Sequence, residues 1–103
     1  MSEWVSVGPA EGRLGLDAVW IGEREIALAR LGDGSWVAFD NACTHEECPL
    51  SEGDLEGARI VCHCHSSAFD VRTGAVLEGP AEEPVAVYPI RVREGELEVE
   101  IEL

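Results

Sequence analysis

The chain contains no lysine. Its fixed positive charge comes from seven arginines, set against 21 acidic residues, for a formal net charge of −14 over 103 residues. Such a surface repels nucleic-acid phosphates and anionic lipid headgroups, which argues against both as partners. It favours a protein partner with a basic surface, met through long-range attraction. No apolar run approaches the roughly 20 residues of a membrane span. The opening Met1-Ser2-Glu3-Trp4 lacks the basic and apolar regions of a secretory signal, so a cytoplasmic location is expected. Internal repeats, low-complexity tracts and sustained 3.6-residue periodicity are also missing. No nucleophile–base pair or phosphate loop marks the chain as a catalyst. Its length suits one domain, residues 1–103, with a 46% hydrophobic content sufficient for one modest core.

Strand patterns and turn signals fill the chain instead. Ala18 to Ile21 is a short apolar run closed by Gly22-Glu23, and Glu25 to Leu31 follows. Gly32-Asp33-Gly34 predicts a hairpin into Ser35 to Phe39. Arg59 to Cys62, Ala68 to Val71 and Ala75 to Leu77 read as short strands, and Val87 to Val92 as one interrupted by Pro89 at an edge or bulge. In the last segment Leu97, Val99, Ile101 and Leu103 alternate with glutamates, the pattern of a half-buried strand. Trp4, Trp20 and Trp36 fall in strand patterns and are expected to anchor the core. The expected fold is all-β, with an irregular insert at about residues 41–69 between two groups of strands.

That insert carries the chemistry. Cys43-Thr44-His45 and Cys62-His63-Cys64-His65 are separated by sixteen residues. Two thiolates and two imidazoles are borderline-soft ligands for zinc or iron. Zinc fingers usually pair like ligands, whereas each run here offers one of each kind. That mixture suits a 2Fe–2S cluster, with Cys43 and Cys62 on one iron and His45 and His65 on the other. Four cysteines in a cytosolic chain read first as metal or redox residues.

The segment from Cys43 to Gly53 resembles the first cluster loop of Rieske proteins, and Cys62 to Asp70, followed by Thr73-Gly74, resembles the second. Gly79 to Pro84, with Pro80, looks like the proline-containing loop that shields the cluster in that family. Nearly the whole chain is similar to a soluble Rieske-type ferredoxin. The resemblance implies a Rieske-like antiparallel β-sandwich with a small two-loop cluster-binding subdomain. It also implies one Rieske-type 2Fe–2S cluster and one-electron transfer from a flavin-dependent reductase to a terminal oxygenase or similar acceptor, with the carrier a monomer.

Some positions depart from the usual ferredoxin pattern. Ser66 stands where glycine is usual and His63 where proline is common. Cys48 and Cys64 match the cysteines that form a disulfide in the Rieske proteins of cytochrome complexes, which implies the same bridge here; the alternative is two buried thiols. Ser67 matches a serine that donates a hydrogen bond to a bridging sulfide in high-potential members, while Phe69 replaces a tyrosine that donates another. An intermediate reduction potential is therefore expected. His63 is expected to be exposed. Two other functions compete with the free carrier: a Rieske small subunit of a larger redox complex, such as a nitrite reductase, and a zinc-stabilised interaction module.

Overall fold

The structure, a computed structural model, describes residues 2–44, 48–64 and 66–102. Its strands are β1 (Ser2–Pro9), β2 (Leu16–Ile21), β3 (Arg24–Arg30), β4 (Trp36–Asp40), β5 (Asp54–Glu56), β6 (Arg59–Val61), β7 (Ala68–Asp70), β8 (Val76–Glu78), β9 (Val87–Tyr88), β10 (Ile90–Arg93) and β11 (Glu96–Glu102). A turn of 3-10 helix, Leu50–Glu52, lies between β4 and β5. Pairing is antiparallel in three sheets, ordered β1-β11-β10, β2-β3-β4-β9 and β5-β6-β7-β8.

The second sheet is the middle layer. Ile26, Leu28 and Ala38 face Leu97, Val99 and Ile101 of the first sheet. Ala27, Ala29 and Phe39 face the other way, onto Leu50, Ile60 and Phe69. Strand β3 is thus covered on both sides, which explains its unbroken apolar run, Ile26 to Ala29. Strand β11 is covered on one side only and alternates as its sequence predicts.

Local turn chemistry sets the registers. The β10–β11 hairpin turns on Glu94 and Gly95, both at positive φ (52° and 82°), as a two-residue turn of the I′ kind requires. In the β3–β4 turn the Asp33 carboxylate accepts hydrogen bonds from the Ser35 N–H and hydroxyl. Those bonds hold the Asp33 pKa below its usual value. Pro89 does more than mark an edge. Before it β9 pairs with β4, and after it β10 pairs with β11, so the chain changes sheets there. A residue without an N–H suits a corner where one ladder ends and another begins.

One expectation needs correction. Only Trp36 of the three tryptophans packs against a core cluster. Trp4 lies on the outer face of the first sheet, with the Arg91 guanidinium 4.0 Å from its ring centre. Trp20 is 66% exposed. Strand alternation is the reason: Val5 on β1 and Val19 and Ile21 on β2 take the inward positions, leaving their neighbours on the other face. The third sheet runs on past residue 69, because β7 pairs onward with β8, up to Glu78.

Gly74 closes this region. A Cβ built on it would lie 2.0 Å from the Val85 carbonyl oxygen, and its φ is +83°. Gly74→Ala should cost at least ~2 kcal/mol in chemical denaturation. Gly12→Ala shares a positive φ, 78°, but meets nothing within 4 Å; its cost should be only about 1 kcal/mol.

A second prediction concerns Tyr88, which donates a 2.6 Å hydrogen bond to Asp40. Burial, then the Asp40 hydrogen bond and charge, push its pKa from 10.0 up to about 12. The neutral phenol therefore contributes stability that is complete below pH 10 and is lost as pH rises toward 12. Thermal melts across that window should show a steeper alkaline decline for the native chain than for Tyr88→Phe.

Candidate metal centre

Two hairpin loops of equal length form the centre. In the first, Ala42 bridges Pro49 and the Cys43 N–H donates to the Cys48 carbonyl at 3.0 Å. In the second, Val61 pairs with Ala68 and the Cys62 N–H donates to the Ser67 carbonyl at 2.7 Å. Each loop therefore opens on a cysteine at the same position, and both cysteines are buried, at 3% and 1% exposure. Leu50, Ile60 and Phe69 belong to the apolar cluster that contains them.

Buried Asn41 anchors the root of the first loop. Its side-chain oxygen accepts from the Ser51 N–H at 2.7 Å, its carbonyl accepts from Leu50 N–H at 2.6 Å, and its own N–H donates to Glu25 at 3.1 Å. In the second loop the Ser66 N–H donates back to the Cys62 carbonyl, and Ser66 adopts a φ of 62°. This left-handed backbone is what glycine at that position would accept without strain.

The segment 79–84 is bonded to both loops. Thr44 Oγ1 donates to the Glu83 carbonyl at 2.6 Å. The Ala81 N–H donates to Ser67 Oγ at 3.0 Å. Ser67 is fully buried, and with its oxygen accepting from Ala81 its own proton remains available to donate. Pro80, exposed, immediately precedes Ala81.

The Cα atoms of Cys48 and Cys64 lie 6.5 Å apart across the two loops. The sulfurs of Cys48, Cys62 and Cys64 lie within 4.8 Å of one another, so the loop tips meet. His63 is exposed, its Nε2 3.8 Å from Cys64 Sγ. The expected ligands His45 and His65 lie outside the described residues.

The donor set fits an iron–sulfur group. Two cysteines at matched positions of facing loops, walled by Leu50 and Phe69, offer thiolates in a site shielded from water. The model of the Rieske [2Fe-2S] domain family matches residues 4–89. The chain belongs to that family. The Rieske domain here is 41% identical over 80 residues to the anthranilate 1,2-dioxygenase ferredoxin subunit of Burkholderia cepacia, covering 78% of this chain and 73% of that protein. The ferredoxin in the complex of reduced oxygenase and oxidised ferredoxin of carbazole 1,9a-dioxygenase superposes with a TM-score of 0.85 at 35% identity, covering 92% and 99% of the two chains. A Mycobacterium tuberculosis protein described as the small subunit of an NADH-dependent nitrite reductase gives 0.84 at 26% identity, covering 100% and 98%. The cofactor of this Rieske domain is a 2Fe–2S cluster, and the protein is an electron carrier of ferredoxin type rather than an enzyme.

Sequence reasoning overlooked Asn41 and Thr44 as supports. The signal for Asn41 was slight: a polar residue at the end of an apolar strand, two residues before Cys43. Thr44 offered none, since its partner lies 39 residues away.

Ser66→Gly should relieve the left-handed strain and raise the stability of the cluster-free protein by up to ~1 kcal/mol in urea denaturation. Ser66→Ala should not.

Proposed function

We propose that this chain carries single electrons in the cytoplasm from a flavin-dependent reductase to a terminal oxygenase, docking as a monomer against basic partner surfaces. Cys43, His45, Cys62 and His65 are the cluster ligands. The observation that carries the reading is the pair of equal hairpin loops, each opening on a buried cysteine in one apolar site. A Rieske cluster takes up and gives back one electron, at potentials between about −150 and +300 mV.

The chain's own residues do the rest. Leu50 and Phe69 exclude water from the thiolate side. Thr44 and Ser67 hold the 79–84 segment against both loops. The Ser67 proton is available to stabilise added negative charge beside it, whereas Phe69 has no hydroxyl to do the same. The Cys48–Cys64 link clamps the loop tips together and persists in the cell because it is formed between loops already held in contact. The −14 net charge supports basic docking surfaces and disfavours self-association.

Relatives named as ferredoxin components of dioxygenase systems support the oxygenase as acceptor. The likeness to a nitrite reductase small subunit favours a second reading, in which the chain is a stable subunit of a larger redox complex. Gel filtration of native extracts separates them: a free carrier elutes near 11.1 kDa, and a subunit with its partner.

Purified protein should be reddish-brown, with two irons per chain by metal analysis and an anisotropic EPR signal after reduction; a colourless, zinc-bearing protein would overturn the assignment. Ser67→Ala should lower the potential by roughly 40–90 mV in voltammetry, the equivalent of one hydrogen bond of ~1–2 kcal/mol for one electron. Alkylating the denatured apoprotein without reductant should modify two cysteines if Cys48 and Cys64 are bridged, and four if they are not.

A further inference from the structure

A groove of about 1070 Å³ opens where β4 runs into the first ligand loop. Asn41, Ala42 and Pro49, at the root of that loop, line one part of it. Trp20 lines another, 66% exposed on β2, an edge strand of the middle sheet. Across the ladder Trp20 is paired with Glu25, and Glu23, in the turn that follows β2, is exposed. Asp40 and Glu100 add carboxylates, while Arg24 is the one cation among the lining residues.

The same fold shows what such a grouping binds. On the outer face of the first sheet the Arg91 guanidinium sits 4.0 Å over the Trp4 ring, and Glu98 accepts its Nε–H at 2.7 Å. Trp20 with Glu23 and Glu25 repeats the indole and the carboxylates; among the described residues no guanidinium stacks on it. A second copy of the chain, at −14, is repelled from the groove, as are nucleic acids and anionic membranes. An arginine or lysine is drawn in by the charge and held by the indole face. Tryptophan is also among the residues most often found as an interface anchor.

We propose that this groove is the docking site for an arginine- or lysine-bearing segment of a protein redox partner, with Trp20 as its stacking platform. The proposal rests on the electron-carrier reading. A segment seated there lies beside the backbone of Asn41 and Ala42, immediately before Cys43.

The test titrates the cluster-loaded protein with a hexa-arginine peptide and follows the three tryptophan indole N–H signals by NMR, assigned by single Trp→Phe variants. The Trp20 signal should move saturably while those of Trp4 and Trp36 stay still, and binding should weaken as salt rises from low to physiological strength. Trp20→Ala and the Glu23→Gln/Glu25→Gln pair should each weaken binding by about threefold or more. Glu11→Gln/Asp54→Asn, on exposed residues outside the groove, should leave it within about a factor of two. The carboxylate pair decides the matter if Trp20→Ala fails to fold. Absence of saturable binding, equal affinity in the groove variants, or shifts spread evenly over the three indoles overturns the proposal. Failure of the carrier reading would show separately, as a colourless protein with no voltammetric wave.

Discussion

Everything at the cluster end depends on two short loops being held facing each other. Neither loop can do this alone, since each is a hairpin tip closed by one backbone bond from its cysteine. The constraint comes from outside them. Asn41 ties the first loop to β3, β6 and β7 carry the second, and the 79–84 segment is bonded to both through Thr44 and Ser67. Gly74 allows the chain to return closely enough to make those bonds, because any side chain there would collide with Val85.

The same side chains serve both stability and chemistry. Ser67 accepts a backbone hydrogen bond and keeps a proton to donate, so the hydroxyl that positions a loop is also the one proposed to stabilise charge at the site. Leu50 and Phe69 belong to the core and also wall off the thiols. Such overlap means that a change in this region alters fold and potential together, and the two must be measured separately.

Charge acts over a longer range. With no lysine and three acids for every arginine, the chain is strongly negative, and such a charge repels other acidic surfaces before any contact forms. The exposed indole of Trp20 is the particular place on the surface proposed for a partner's cation. Trp4 already uses that chemistry within the chain, where Arg91 covers it.

The sequence by itself determined the Rieske family, its kind of cofactor and the all-β character, because motif chemistry and strand alternation are local properties of neighbouring residues. It located the β3–β4 turn through Gly34, whose positive φ is a local requirement. The unbroken apolar run of β3 was visible, but not that two separate layers cover it. Ser66 was recognisable as a position where glycine is usual; that its backbone is left-handed emerged only from the folded loop. Only the tertiary structure decided which tryptophan is buried, that Pro89 turns between sheets, and that Thr44 and Ser67 hold a third segment. Each of those outcomes depends on which distant strand or loop covers a given face, and no window of neighbouring residues contains that information.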